Sequence, residues 1–366
     1  MCYITGYLVA ALQDERDWCM KVISVVNQKG GCGKTTLAVN VAAALARTGY
    51  ETLLIDLDPQ AHATFAMGAR EKAPDTKTSY DIFRSRIEDE EILPTELLIA
   101  DRQKLDFMPA NMLLSAAEIN LGSVSGAATI LSRYLTDTFF LKYDYVIIDS
   151  PPSFGFLTLN SMYSADMMIV PIDLSYFSFN GVNSIYRVVS LLNKETGRRP
   201  DVFFALNIFD GRSNFARDFE KEAKEKLGRN LFDTRIRSSV RLREAPMLGK
   251  TIFEHDPKCN GAIDFYNLTC ELINIDRECL DTIVREFVLR APKADQVYVL
   301  GDFNGWKKTE TNRLMQYDDG KWSIHLNLKK GKYRYKYMVD GQWMHDPDNV
   351  EVEANIFGSI DSIISI

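Results

Sequence analysis

Seven residues, Gly30-Gly31-Cys32-Gly33-Lys34-Thr35-Thr36, stand between the β-branched run Lys21–Val26 and a helix-forming stretch that opens Leu37-Ala38-Val39. A glycine-rich turn leading from a strand into a helix aims several backbone N–H groups and the helix N-terminus at one point, which makes an anion cradle. A lysine at its end neutralises phosphate charge, and the following threonine hydroxyl can ligate Mg2+. Such a loop needs a buried strand beneath it, so this segment alone points to a layered α/β fold with phosphate chemistry.

The surrounding pattern agrees. From Lys21 to about Leu280, apolar runs alternate with amphipathic stretches of helical length, which predicts a mostly parallel sheet with crossover helices. Strands are expected at Lys21–Val26, Thr52–Asp56, Leu105–Met108, Tyr145–Asp149, Met167–Val170 and Val202–Asn207. Helices are expected at Thr35–Arg47, Thr158–Tyr163, Asn180–Leu192, Phe215–Leu227 and around Asn260–Ile275. Two strands run into acids, Leu53-Leu54-Ile55-Asp56-Leu57-Asp58-Pro59-Gln60 and Val146-Ile147-Ile148-Asp149-Ser150-Pro151-Pro152. Open α/β sheets present their ligand crevice at strand ends, so Asp56, Asp58 and Asp149 are candidates to position an attacking water or hold a metal's water shell.

After about Thr282 the pattern changes to short period-2 segments punctuated by Asp302-Phe303-Asn304-Gly305, Asp318-Asp319-Gly320, Lys330-Gly331 and Asp340-Gly341, which reads as an all-β module. Tyr333, Tyr335, Tyr337 and Val339 alternate with Arg334, Lys336 and Met338, so one face of that strand is aromatic core. A two-residue turn at Asp340-Gly341 would pair Val339 with Gln342 and Met338 with Trp343, placing the indole on the non-core face, diagonal to Lys336. An indole beside an ammonium there would be an exposed platform on which a sugar's C–H face can stack.

Charge separates the two parts. Residues 285–366 hold 12 basic and 12 acidic side chains, so the preceding segment carries all of the net charge of −7. That balance excludes a protein that coats nucleic acid with its whole surface, and any such contact must be local. The one basic concentration runs from Arg229 to Lys250, with Arg229, Arg235, Arg237, Arg241, Arg243 and Lys250 against Asp233 and Glu244. The six cysteines show no CxxC pairing, which argues against a disulfide scaffold or zinc site and favours a reducing, cytoplasmic setting. Residues 1–19 have no basic lead and no cleavage site; they read as a loose extension or a misplaced start ahead of Met20.

Several blocks resemble the ParA/MinD family of deviant Walker ATPases, here of ParA/Soj type. They are Lys29 with the glycine loop, Asp56-Leu57-Asp58-Pro59-Gln60-Ala61-His62-Ala63-Thr64, Asp149-Ser150-Pro151-Pro152, Asn207-Ile208-Phe209-Asp210-Gly211-Arg212, and Val240-Arg241-Leu242-Arg243-Glu244-Ala245-Pro246 through Gly249-Lys250-Thr251-Ile252. The resemblance covers roughly residues 20–280 and implies a P-loop NTPase domain with ATP and Mg2+ as cofactors, a homodimer formed around ATP, and ATP hydrolysis. By it Lys29 would reach a partner subunit's nucleotide. Lys34 would contact phosphate and Asp58 would position the water, which makes these three the catalytic set. Gly30, Gly31, Cys32, Gly33, Lys34, Thr35, Thr36 and Asn207 would bind the nucleotide, and Thr35, Asp56 and Asp149 would serve the metal. The resemblance further implies sequence-independent DNA binding through Arg235, Arg237, Arg241, Arg243 and Lys250, a nucleoid-associated location and a ParB-like activating partner. The basic C-terminal amphipathic helix of membrane-bound relatives has no counterpart, so a membrane partner is disfavoured.

Residues 281–366 resemble the glycogen-binding module of AMP-activated kinase β subunits, an immunoglobulin-like early-set sandwich. The blocks are Gly301–Trp306, Tyr335–Trp343 with His345-Asp346-Pro347, and Phe357-Gly358-Ser359-Ile360-Asp361-Ser362-Ile363-Ile364. That likeness implies binding of glycogen or malto-oligosaccharide through Trp306, Lys336, Trp343, Phe357 and Asp361, the last a departure from the family's usual Asn. Three readings follow: an ATPase that positions a carbohydrate cargo over DNA, a glucan-sensing ATPase that leaves DNA alone, and a partitioning ATPase whose β module docks a protein.

Overall fold

A computed structural model describes residues 20–69, 77–174, 178–280, 282–309, 312–316, 320–329, 331–355 and 358–366. The extension at residues 1–19 and the expected sugar contact Phe357 lie outside these. Contacts divide the chain into two compact units, Met1–Glu271 and Leu272–Ile366. The division falls within the helix Asn260–Leu280, after which a strand begins at Thr282.

The first unit is built on seven strands: β1 (Lys21–Val25), β2 (Thr52–Asp56), β3 (Ile99–Arg102), β4 (Leu105–Met108), β5 (Tyr145–Asp149), β6 (Met167–Ile172) and β7 (Asp201–Leu206), in the order β3-β4-β2-β5-β1-β6-β7. All pairings are parallel except β3 with β4. Every residue of β2, β5 and β6 is buried, as their unbroken apolar runs require when helices cover both faces. The first crossover, Lys34–Arg47, packs an alanine-rich run against the sheet; alanine has no side-chain entropy to lose and lets the backbones approach closely.

Two apolar clusters flank the sheet, one around Leu53, Ile55, Phe83, Phe140 and Ile148, the other around Met168, Val170, Phe204, Leu206 and Phe219. The expected strands all form, with β6 extended to Ile172. Strand β3 and the helices Ser79–Glu88, Leu114–Leu121 and Arg241–Met247 are additions that the periodicity did not mark. Ile99-Ala100-Asp101-Arg102 has no apolar run because it is an edge strand with a single neighbour.

The second unit has two antiparallel sheets. One contains β8 (Thr282–Arg290), β10 (Met315–Gln316) and β11 (Lys321–Lys329). The other contains β9 (Val297–Gly301), β12 (Lys332–Val339), β13 (Gln342–Met344), β14 (Val352–Ala354) and β15 (Ile360–Ser365). Phe287, Leu289 and Trp322 from the first sheet meet Val297, Val299, Tyr335 and Tyr337 from the second in one core. The buried polar tips are satisfied: Tyr337 OH donates to the Val288 carbonyl and Trp322 Nε1 to that of Ala291, each at 2.9 Å. Across the Asp340-Gly341 turn, Val339 pairs with Gln342 and Met338 with Trp343, the register expected from a two-residue hairpin.

Candidate functional site

In the sheet, Val25 at the end of β1 is the register partner of Asp149 on β5, and Asp149 is the partner of Asp56 on β2. The glycine loop and two acids therefore leave the sheet side by side at the carboxyl ends of parallel strands. Gly31 and Gly33 take left-handed φ values of 77° and 85°, and a Cβ on Gly33 would lie 2.3 Å from the Asn207 amide nitrogen. Only glycine fits there. That amide, just beyond β7, donates to the Cys32 carbonyl at 2.8 Å, while Asn207 Oδ1 accepts from the Ile208 N–H at 3.0 Å.

Asn27 fixes the loop's other end, accepting from the Lys29 N–H at 3.0 Å and donating to the Pro171 carbonyl at 2.7 Å. The sequence reading passed over it; its signal was an Asn directly after a buried strand, where a short amide can cap a turn. Ser150 ties the second acidic loop to the first strand by donating to the Val25 carbonyl at 2.6 Å.

Both loop lysines are engaged within the chain. Lys34 is buried, its Nζ donating to the Lys29 carbonyl at 3.0 Å, and the Lys29 ammonium is paired with Asp173 at the end of β6. Cys32 is fully buried, its thiol donating to the same Lys29 carbonyl at 3.2 Å, and burial pushes that thiol's pKa up. Gly30 opens the loop with free space around it, and the Thr36 carbonyl accepts from the Asn40 side chain at 2.8 Å.

The three acids have different surroundings. Asp56 is fully buried and accepts from the Asp58 N–H at 3.0 Å, the Thr64 N–H at 2.8 Å and the Thr64 hydroxyl at 2.7 Å. Burial, aided by the Asp58 charge, still pushes its pKa up to about 7. Asp58 is nearly buried and oriented by the Gln60 N–H, 2.9 Å from Oδ1. Asp149 is fully buried; neither carboxylate oxygen has a donor at full hydrogen-bond geometry, and the Thr35 hydroxyl is the side-chain donor that faces it. Burial first, and then Asp56, push its pKa well above the ordinary range.

A buried carboxylate faced by the loop threonine is a hard oxygen donor set, which suits Mg2+. Among the described residues no three His, Cys, Asp or Glu side chains could hold an ion by themselves. Mg2+ tolerates this, because it takes one or two carboxylates and completes its shell with waters and phosphate oxygens.

The basic segment differs from its residue count. Arg235 lies 2.5 Å from Glu220, Arg237 forks onto the buried Asp264 at 2.6–3.2 Å, and Arg241 meets Glu244 at 2.8 Å and Asp256 at 3.5 Å. Three expected contacts are thus neutralised, two of them wholly by acids from outside the segment. Arg243 and Lys250 are exposed and have no ion pair among the described residues.

In the β unit, Trp343 is half exposed and Trp306 partly so, with ring centroids 6.0 Å apart and planes at 59°. The expectation of an exposed ammonium beside them is corrected. Lys336 is buried, its Nζ 3.0 Å from Asp361 Oδ1 and donating to Ser359 Oγ at 2.7 Å, while Asn355 Nδ2 donates to Asp361 at 2.7 Å. Asp361 on β15, the strand that pairs with β12, supplies the counter-charge. Aspartate where the resembled modules usually carry Asn thereby has a structural partner. Among the described residues no helix is long and apolar enough to cross a membrane.

Comparisons with known proteins match separate parts of the chain to two families. Residues 20–202 match the family model described as an AAA domain, and residues 287–366 match the glycogen recognition site of AMP-activated protein kinase. The chain is 35% identical to the sporulation initiation inhibitor protein Soj of Bacillus subtilis over 69% of its own length and 98% of that protein's. It is 34% identical to the chromosome partitioning protein ParA of Myxococcus xanthus over 75% and 95% of the two chains. Among solved structures, cobyrinic acid a,c-diamide synthase from Mycobacterium smegmatis, with bound ATP analog and magnesium, is similar with a TM-score of 0.59 and 27% identity, covering 70% of this chain and 96% of that one.

The raised carboxyl pKa values set a pH dependence. An acid with a higher pKa folded than unfolded keeps its proton in the native state after the unfolded chain has lost it, so its contribution to stability falls as pH rises. For Asp56 the window runs from the ordinary carboxylate range to about 7, and for Asp149 it begins in the same place. Asp149→Asn in nucleotide-free protein should be more stable than the parent at pH 8, with the difference shrinking toward zero at pH 4. Urea unfolding at the two pH values measures this; equal midpoints at pH 8 would show that Asp149 carries no such penalty.

Proposed function

The chain belongs to the ParA/Soj family of chromosome-partitioning ATPases, and from that premise we propose that it binds ATP with Mg2+, dimerises around the nucleotide and rests on DNA in that state to position a cargo, with α-glucan held by its C-terminal module. The observation that carries the reading is the row formed by the glycine loop, Asp149 and Asp56 at adjacent strand ends. In this reading the loop's N–H groups and Lys34 hold the phosphates once Lys34 leaves the Lys29 carbonyl, and Lys29 crosses to the partner's nucleotide once it leaves Asp173. Thr35 and Asp149 would hold Mg2+, whereas Asp56, expected beside them at the metal, has its oxygens engaged by the Asp58 and Thr64 donors and would serve the ion only by fixing the loop through Thr64. Bound there, the metal neutralises charge on the transferring phosphoryl group. Asp58, aimed by the Gln60 amide, orients the attacking water. Phosphoryl transfer asks mainly for positioning and charge compensation, which these groups supply. A ParB-like protein would stimulate turnover.

A second reading has its own support. Because Arg235, Arg237 and Arg241 are paired with acids, a glucan-responsive ATPase that leaves DNA alone fits the observed charge. The nucleoid reading then depends on Arg243 and Lys250, doubled in a dimer.

Lys34→Ala should lose ATP binding. Asp58→Ala should keep ATP and the dimer while turnover falls on the order of a hundredfold, the scale of a misplaced reactant. Size exclusion with ATP and phosphate release test this, and parental turnover in Asp58→Ala removes that residue from the mechanism.

Arg243→Glu should weaken ATP-dependent retention of duplex DNA, more at low salt than at high, with the salt slope reduced by about 1 for the lost phosphate contact. Arg237→Glu should instead lower the melting temperature, since it leaves the buried Asp264 without its partner. Absence of any retention by ATP-loaded protein at low salt would decide for the second reading.

For the module, Trp306→Ala or Trp343→Ala in the full chain should each weaken retardation in glycogen-containing native gels roughly tenfold, corresponding to about 1–2 kcal/mol per stacked ring. Parental retardation by both variants would rule out the glucan site.

A further inference from the structure

Trp306 adopts a conformation that its side chain disfavours. Its φ of 61° follows Gly305 at 60°, so two successive residues lie in the left-handed region, and the second is a tryptophan. A bulky residue stays there only when its surroundings over-determine it. They do so here. The Trp306 N–H donates to the Gly301 carbonyl at 3.0 Å, and the Gly301 N–H donates to Asn304 Oδ1 at 2.9 Å. The indole Nε1–H donates to Asp302 Oδ1 at 3.0 Å. Asp302 is itself held by β12: its Oδ2 accepts from the Arg334 N–H at 2.9 Å and from Arg334 Nε at 3.2 Å. Backbone bonds thus set where the residue stands, and the carboxylate sets how its ring is turned.

The tether has two consequences. The only donor of the Trp306 indole is occupied, so that ring offers a ligand nothing except its faces. The Trp343 indole N–H makes no hydrogen bond among the described residues, so the two rings are not equivalent. The angle between them follows as well. The backbone of Trp343 is held by strand pairing on β13, whereas the Trp306 ring, at the end of a turn, is held through its indole by Asp302. Two rings at 59° cannot both lie flat on a straight ribbon of sugars, but they can face successive units of a chain that curves.

We propose that Asp302 is a positioning residue for the sugar face: anchored by Arg334, it accepts the Trp306 indole N–H and so fixes the tilt of that ring toward Trp343 for a curved α-glucan. This rests on reading the module as a glucan binder. The alternative is that Asp302 merely ties the turn to β12 through Arg334 and is indifferent to the ring.

A double-mutant cycle on the full chain separates the two, because Trp306→Phe keeps an aromatic face and removes the tethered N–H. With maltoheptaose as ligand in titration calorimetry, Asp302→Ala should weaken binding about fivefold when Trp306 is present and less than about twofold in the Trp306→Phe background. Asp302→Ala should also diminish the near-ultraviolet circular dichroism of the tryptophans while leaving the far-ultraviolet spectrum unchanged. Equal losses in both backgrounds would overturn the proposal in favour of a purely structural tie, as would an unaltered near-ultraviolet spectrum. Should Asp302→Ala not fold, Asp302→Ser, which keeps a hydroxyl acceptor, replaces it in the cycle and should show a smaller loss in the Trp306 background. If Trp306→Ala and Trp343→Ala leave maltoheptaose binding unchanged, the glucan reading fails and the role toward sugar with it, while the near-ultraviolet band still decides whether Asp302 orients the ring.

Discussion

Val25, Asp149 and Asp56 form one transverse row of the parallel sheet, and the arrangement of the nucleotide loop depends on that row. Register in a sheet is a parity: a slip of one residue turns each side chain to the opposite face. Moving β5 by one position against β1 would carry Asp149 away from the loop and into the apolar layer behind it. Because both faces of β2 and β5 are covered, a carboxylate moved there would meet neither water nor a donor, and that desolvation opposes the slip. Apolar residues with no chemistry of their own thus hold two carboxylates where water would otherwise be favoured. Folding meets the desolvation cost, and a cation at Asp149 would give much of it back.

The loop's cations have partners within the chain. Lys34 rests on the Lys29 carbonyl and Lys29 on Asp173, so neither cation is left to solvent alone. The β unit uses the same device, with Lys336 against Asp361. In each case, positive charge suited to recognition is partnered internally, and an arriving ligand must exchange one set of partners for another. Affinity is therefore a difference between two well-made arrangements, and either can be tuned by residues that never touch the ligand.

The fold was legible wherever the pattern reflected burial. Strands with unbroken β-branched runs, the glycine loop and the acids ending Leu53–Asp58 and Val146–Asp149 all declared themselves, because a buried strand has few ways to be written. Edge strand β3 did not, since one neighbour asks little of four residues. Charge was the least legible quantity. Counting along Arg229–Lys250 misses Glu220, Asp256 and Asp264, which come from other elements, and the same blindness made Lys336 look open when Asp361 faces it. Linear sequence records which charges exist; only the folded chain decides which remain unpaired.

Cys32 has a consequence of a different kind. Its thiol lies inside the glycine loop, shut off from solvent, bonded to a backbone carbonyl and held in the protonated form by burial. Thiolate is the species that alkylating and oxidising reagents attack, so the closed loop keeps this sulfur chemically silent. Any rearrangement that lifts the loop from the Asn207 amide would expose it. The chain thus carries a native label at the centre of its nucleotide site, whose rate of reaction reports how often the cradle comes apart.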